Sequence, residues 1–200
     1  AIEALRQWDM RVSLDSVAMT LAHFYVTRYR AEGANPQGLR GMDQINFFGT
    51  GSPLQERLDI FSKTLAGLIE DFGRWEIPWG DVNRFQRLSG DIQLAYDDDK
   101  PSLPIDMASG RWGALASFGA RRYPGTKRIY GSSGNSFVAV VEFGEKVKAK
   151  SLLAGGQSGD PGSPHFDDQA QRYAGHLFKD VAYYREDVEK RATRKYHPGQ

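Results

Sequence analysis

The sequence predicts an α+β fold, in which a helical first third is followed by strands and loops. Helix-type periodicity covers residues 15–33 and 52–73, and strand-type alternation covers residues 137–153. With 200 residues, of which 40% are hydrophobic and 12% aromatic, the chain can form one sizeable core or part of a larger one. We therefore expect residues 1–75 to be mainly helical, residues 76–200 to be mainly strands and loops, and neither part to be an independent domain.

The first predicted helix begins after Asp15, a residue type that is favoured at the N-cap. The pattern stops at Gly33, since glycine often ends a helix. Four apolar residues between them share one helical face: Val17, Leu21, Phe24 and Tyr25.

The second predicted helix is marked by Ser52 as N-cap, Pro53 at the first helical position and Gln55 as the partner in a capping box. Gly73 ends it. Its apolar face consists of Leu54, Leu58, Phe61, Leu65, Leu68 and Phe72. Residues 31–51 are rich in Gly and Asn and have no clear period, so we expect a long surface connection there.

A β-hairpin is predicted over residues 137–153, with its turn at Gly144 and Glu145. Its first strand, 137–143, is apolar on nearly both sides, which is typical of a strand buried on both faces. The second strand directs Lys148 and Lys150 to solvent or to a covering layer. Beyond the hairpin we expect a short helix from residues 163–164 to 173, and a last strand within 180–187.

Several classes of function are disfavoured by the composition. The formal net charge of +1 provides no electrostatic footprint for nucleic acid or an anionic membrane, and no apolar run approaches the ~20 residues of a membrane helix. Cysteine is absent, which excludes disulfides and thiolate chemistry. The four histidines lack metal-ligand spacing, so we expect no metal and no cofactor.

The segment "GGQSGDPGSPHFDDQ", residues 155–169, combines turn-forming residues with acidic, amide and imidazole side chains. It fits two interpretations, an active-site loop or a structural corner. Its glycines permit positive φ, its prolines restrict φ, and Asp160 and Ser163 can bond nearby amides. These properties favour a corner that reverses a buried strand into a helix.

Four segments resemble the penicillin amidase family of N-terminal-nucleophile hydrolases. They are "RQWDMRVSLDSVAMTLAHFY", "PWGDVNRF", "GNSFVAVVEFGEKVKA" and "GGQSGDPGSPHFDDQAQRYAGHLFKDVAYYREDV". The last contains the family's Gly-Gly-Gln-Ser-Gly, Ser-Pro-His and Asp-Gln pattern, and the resemblance covers nearly the whole chain. Within this family, the chain most resembles the acylases that cleave acyl-homoserine lactones.

The resemblance implies a precursor that cleaves itself and exposes an N-terminal Ser. The hydroxyl of that Ser attacks an amide carbonyl, while its α-amine, acting through water, is the base. The implied substrates are acyl-homoserine lactones, whose cleavage is quorum quenching, or β-lactam antibiotics. The implied fold is a four-layer αββα sandwich built from separate α and β chains, and the implied location is periplasmic or secreted.

The chain departs from the family pattern in two ways. Ala1 has no hydroxyl, and the family's cleavage motif is absent at residues 51–53 and 131–133. We therefore expect the C-terminal part of a β subunit, inactive alone and without a catalytic residue of its own. The α chain and a nucleophile-bearing β segment would be its partners. The alternatives are a non-catalytic binding domain and an inactive homologue.

Some polar residues are still candidates for a supporting position near the site. They are Asn135, Gln157, Ser158, His165, Asp168 and Gln169.

Overall fold

The computed structural model describes residues 1–197 and 199 and confirms a mixed α+β fold. The chain forms two compact units, Ala1–Asn135 and Ser136–Gln200, here called the first and second unit. No helix in the described part of the chain has the length and apolar character needed to cross a lipid bilayer.

Helices form most of the early part of the first unit. They are α1 (Ile2–Arg6), α2 (Val17–Glu32), α3 (Gly41–Thr50), α4 (Leu54–Phe72), the short α5 (Trp79–Val82) and a 3₁₀ turn at Gly110–Trp112.

The two predicted helix ends are confirmed, for different physical reasons. Gly73 follows α4 with φ of 78°, a left-handed conformation that glycine adopts without a Cβ clash. Gly33 follows α2 at an ordinary φ of −73°, but a Cβ at this position would lie 2.2 Å from the ring of Tyr29. Gly33 is therefore required by close packing against Tyr29.

The N-cap of α2 is Ser16, so the prediction of Asp15 was wrong by one residue. The Ser16 hydroxyl accepts a hydrogen bond from the backbone N–H of Met19 at 3.1 Å. Asp15 instead accepts a bond from the hydroxyl of Ser13 at 2.7 Å. Either side chain can cap a helix, and the local turn chooses between them.

Helix α3 replaces the predicted surface connection, and that prediction was wrong. Phe48 of α3 is buried, and its ring stacks on Tyr29 of α2 with a centroid distance of 3.8 Å. Asn35 stabilises the preceding turn, since its side chain accepts from the N–H and donates to the carbonyl of Leu39. Tertiary packing of the aromatic residues thus overrides a composition that disfavours helix.

Helix α4 forms as predicted, but its cap and part of its buried face differ. Pro53 is the N-cap, and the Ser52 hydroxyl donates to the carbonyl of Phe48 at 2.7 Å, so no capping box forms. Leu54 and Leu58 are 64% and 40% exposed. The buried residues of α4 are Ile60, Phe61, Thr64 and Leu68.

A four-stranded sheet completes the first unit. Its strands are β1 (Asn83–Phe85), β2 (Leu103–Pro104), β3 (Phe118–Arg122) and β4 (Ile129–Gly134), in the order β2-β1-β4-β3. The pair β1–β4 is parallel and the other pairs are antiparallel. The main core joins this sheet to α2 and α5 through Met19, Ile77, Trp79, Val82, Ala108 and Ile129.

The second unit contains a three-stranded antiparallel sheet and two short helices. The strands are β5 (Phe137–Glu142), β6 (Lys148–Leu153) and β7 (Lys179–Asp180), in the order β5-β6-β7. The helices are α6 (Ala170–Ala174) and α7 (Arg185–Arg191). The β5–β6 hairpin confirms the prediction from alternation.

Three predictions for this unit were wrong. Strand β5 is not buried on both faces in this chain, since Phe137 is 59% and Val140 60% exposed. Helix α6 begins at residue 170, because residues 160–169 form successive turns. The predicted last strand, 180–187, contains only the end of β7, and its remainder leads into α7, where Glu186 and Asp187 occupy the first turn.

Candidate functional site

Residues 155–169 form a closed loop that leads from β6 to α6. Its ends are joined by a hydrogen bond from the N–H of Gln169 to the carbonyl of Gly155 at 2.8 Å. Gly155 has φ of 74°, which favours glycine. Gly156 has no positive φ, but a Cβ there would lie 2.2 Å from the carbonyl oxygen of His165. Gly155 thus needs the left-handed conformation, whereas Gly156 is required by its close contact with the His165 carbonyl.

The hydroxyls of this loop stabilise its turns. Ser158 Oγ accepts from the N–H of Asp160 at 3.1 Å, and Ser163 Oγ accepts from the N–H of His165 at 3.2 Å. The N–H of Ser158 also donates to the carbonyl of His165 at 3.0 Å, across the loop. These bonds support the interpretation as a structural corner.

His165 and Asp168 form the ionisable pair of the loop. Nδ1 of His165 lies 3.0 Å from Oδ2 of Asp168. This bond is the main cause that holds the pKa of Asp168 below its ordinary value. The imidazole is 71% exposed, so the carboxylate orients a ring that faces solvent.

The other predicted residues lie in two places. Gln169 accepts a hydrogen bond from Lys179 Nζ at 3.1 Å, which joins the loop to β7, and Gln157 is exposed. Asn135 belongs to the first unit, where its Oδ1 accepts from the N–H of Ser117 at 2.7 Å and its own N–H donates to the Ser117 carbonyl. The structure thus brings five of the six residues into one loop and gives Asn135 a bracing position beside β3. Their placement near a catalytic site stays a prediction.

A cavity of about 710 Å³ in the first unit was missed by the sequence analysis. It lies between α2, α4 and the β3–β4 edge of the four-stranded sheet. Aromatic residues line part of it, and the ring of His23 contacts three of them, with centroids 5.0 Å from Trp79, 5.5 Å from Phe24 and 6.4 Å from Trp112. Burial lowers the pKa of His23 to about 4, so the imidazole is neutral at pH 7.

Three buried side-chain polar atoms of residues that line this cavity have no hydrogen-bond partner among the described residues. They are Nδ1 of His23, Nε of Arg30 and Oδ1 of Asn83. The amide nitrogen of Asn83 is fully used, since it donates to the carbonyls of Ile105 and Met107 at 2.8 Å each. An unmet acceptor in a buried site favours contact with a donor group.

Charged side chains surround the same cavity. Arg122 pairs with Asp71 at 2.6 Å, and Arg28 pairs with Glu32 at 2.7 Å. The lining therefore combines aromatic walls, three unmet polar atoms and paired charges, which is suited to binding a small organic group. Its residues run from 23 to 133 in the chain, so no short motif could have indicated it.

Within residues 1–197 and 199, no three His, Asp or Glu side chains come together as a metal site. The negative charges of residues 97–99 serve the fold instead: Asp98 accepts from the Tyr130 hydroxyl at 2.8 Å and from the N–H of Lys127 at 2.7 Å.

Comparison with known families identifies the chain. The sequence model of the family described as penicillin amidase matches residues 1–190 of the 200. The chain belongs to the penicillin amidase family. Membership implies amide hydrolase activity of the acylase or amidase type, in a family that is typically made as a processed multi-chain precursor.

Nearly all features described above fall within the region shared with the penicillin amidase family. The match includes the whole first unit with its cavity, the hairpin, the loop at residues 155–169 and most of α7. The loop and the cavity both lie within the region that the family model matches.

Proposed function

We propose that this chain is a supporting part of an acylase that hydrolyses the amide bond of acyl-homoserine lactones, β-lactam antibiotics or both. The observation that carries the proposal is the family match over residues 1–190. In this proposal, the hydroxyl of an N-terminal Ser on another chain of the processed precursor attacks the amide carbonyl and releases the amine. Water then releases the carboxylic acid.

The contribution of this chain is structural in the proposal. The loop at residues 155–169 is ordered by its own hydrogen bonds, which supports a structural role. Ser158 and Ser163 stabilise its turns, and the bond from Gln169 to Gly155 closes it. The sheet β5-β6-β7 would form part of an inner layer of the four-layer αββα sandwich, since the exposed Phe137 and Val140 need a covering layer. By family resemblance we also propose a periplasmic or secreted location, which cell fractionation can test.

The assembled protein is the material for the test. Native mass spectrometry and N-terminal sequencing should reveal a companion chain that begins with Ser. The assembly should release fatty acid from acyl-homoserine lactones or aryl acid from a penicillin. Turnover by a preparation free of any companion chain would refute the role given to this chain. Failure over a series of acyl lengths and penicillins, with the companion Ser present, would refute the substrate class.

A non-catalytic binding domain is the second candidate, and the cavity of about 710 Å³ with its unmet polar atoms favours it. This candidate predicts that small aromatic compounds raise the melting temperature of the protein while no amide is cleaved. Ligand-induced stabilisation in a thermal-shift series, without product in the same samples, would support binding over hydrolysis.

A further inference from the structure

The cavity between α2, α4 and the β3–β4 edge has an aromatic wall. The ring of His23 meets Phe24 edge-on, with an interplanar angle of 76°, and is tilted by 55° against Trp79. Trp112 and Phe118 extend this wall. Because aromatic rings pack on one another offset or edge to face, the wall favours a ligand with a planar apolar part.

Arginine is in excess over carboxylate in the lining of the same cavity. The lining contains five arginines and two carboxylates, which are Arg28, Arg30, Arg111, Arg121 and Arg122, with Glu32 and Asp71. Both carboxylates are already used, since Asp71 pairs with Arg122 and Glu32 pairs with Arg28. Glu32 is also shared with Lys63, whose Nζ lies 3.6 Å away. Within the part of the chain that the structure describes, three arginines thus lack a carboxylate partner, and this surplus favours an anionic ligand.

Of these three arginines, Arg30 is the best suited to hold the anion. The guanidinium of Arg121 is engaged, since its central carbon lies 4.7 Å from the centroid of the Tyr123 ring. Arg111 is exposed to solvent. Arg30 is less exposed, and its buried Nε is one of the three unmet polar atoms of the lining. A carboxylate can accept from Nε and from a terminal N–H of the same guanidinium, in the planar fork that arginine presents.

The positions of Arg30 and His23 set the length of the ligand. They are seven residues apart on α2, so they lie on the same side of the helix and about 10 Å apart along its axis. This distance leaves room for one or two fused rings between the guanidinium and the aromatic wall. The cavity volume of about 710 Å³ is also in the range of small-molecule sites, about 300–1,000 Å³.

We propose that this cavity binds an aromatic monocarboxylic acid of one or two rings, with its carboxylate on Arg30 and its ring against Trp79 and Trp112. A single partly buried guanidinium beside an apolar wall disfavours a multiply charged group such as a phosphate. The inference rests on the binding role given above as the second candidate function, and it names the ligand class of that cavity.

Calorimetric titration of the assembled protein is the first test. Naphthylacetate should bind at least about tenfold more tightly than naphthylacetamide, which has the same shape without the charge. It should also bind more tightly than octanoate, which has the charge without the ring. Equal binding of the acid and the amide, or tighter binding of naphthyl phosphate, overturns the inference while the binding role stands. If none of these compounds binds, the inference and the binding role are both refuted.

Substitution of Arg30 is the second test. Arg30→Gln removes the guanidinium, so the preference for naphthylacetate over naphthylacetamide should fall to about threefold or less. The matched control is Arg40→Gln, which removes the same charge at an exposed position outside the lining and should keep the tenfold preference. An equal effect of the two substitutions, or an unchanged preference in Arg30→Gln, overturns the inference. If Arg30→Gln does not fold, the ratio of acid to amide binding in the wild type decides.

NMR of the tryptophan indole groups locates the bound ring. The N–H signals of Trp79 and Trp112 should shift when naphthylacetate is added, whereas that of Trp75, which is outside the lining, should stay in place. The Trp79 N–H already donates to the Asp106 carbonyl at 3.1 Å, so its shift reports the nearby ring rather than a new bond. A shift of Trp75 alone overturns the inference.

Amide hydrolysis measured on the same samples separates this inference from the proposed acylase activity. Binding of naphthylacetate without turnover of any acylase substrate supports the inference and refutes the activity. Turnover without binding of naphthylacetate refutes the inference alone.

Discussion

Replacement of Gly156 by alanine should open the loop at residues 155–169. A Cβ at this position would lie 2.2 Å from the carbonyl oxygen of His165, 2.7 Å from that of Phe166 and 2.8 Å from the Phe166 carbonyl carbon. All three atoms are backbone, so no rotation of a side chain can relieve the contact. Overpacking of this kind costs about 1–3 kcal/mol, and the loop must move to accommodate the methyl group.

The bonds nearest to the contact should report this cost. The N–H of Ser158 donates to the His165 carbonyl, and the N–H of Gln169 closes the loop on Gly155. A cost of about 1–3 kcal/mol raises the opening constant of these amides roughly 5- to 150-fold. Hydrogen exchange of the two amides, measured by NMR, should therefore accelerate by this factor in Gly156→Ala.

Gly159→Ala is the matched control in the same loop. A Cβ at Gly159 meets no atom within 4 Å, and the residue has no positive φ. Exchange at Ser158 and Gln169 should therefore stay near wild type. Equal effects of the two substitutions, or no effect of Gly156→Ala, would refute the argument from close packing.

Three further predictions concern the first unit. Because burial lowers the pKa of His23 to about 4, the unfolded chain binds more protons than the folded chain between pH 4 and 6.5, and the free energy of unfolding should rise with pH across this window by at most about 3 kcal/mol. His23→Gln should flatten this rise when urea unfolding is measured at a series of pH values. An NMR titration midpoint near 6.5 for His23 would contradict the prediction. Asn83→Ala removes two buried hydrogen bonds and should lower the free energy of unfolding in urea by about 2–4 kcal/mol. The control Asn46→Ala, at an exposed position, should change it by less than about 0.5 kcal/mol, and equal losses from the two substitutions would refute the role of Asn83. Ser16→Ala removes the N-cap of α2 and should lower the free energy of unfolding by about 1 kcal/mol, more than Asp15→Ala does in the same assay. A larger loss from Asp15→Ala than from Ser16→Ala would show that Asp15 is the cap.

Residues close together in sequence account for the successful predictions. The hairpin was predictable because alternation along 137–153 and the turn at residues 144–145 are local signals. The α4 helix and its end at Gly73 were predictable for the same reason. The resemblance to the penicillin amidase family also depends on contiguous motifs, and the match over residues 1–190 confirms it.

Failures occurred where the deciding partner is distant in sequence. Helix α3 forms because Phe48 stacks on Tyr29, and no local pattern in residues 31–51 indicates this contact. The cavity beside His23 depends on Trp79 and Trp112, which come from separate segments. The need for glycine at position 156 depends on the His165 carbonyl, nine residues later across a loop.

The sequence by itself thus determined the α+β class, the main helices, the hairpin and membership of the family, since periodicity and contiguous motifs are properties of neighbouring residues. Only the tertiary structure decided that α3 is a helix, that the His23 imidazole is neutral and that β5 presents an open edge. These features depend on burial, contact and register between distant segments, and such quantities exist only once the chain has folded.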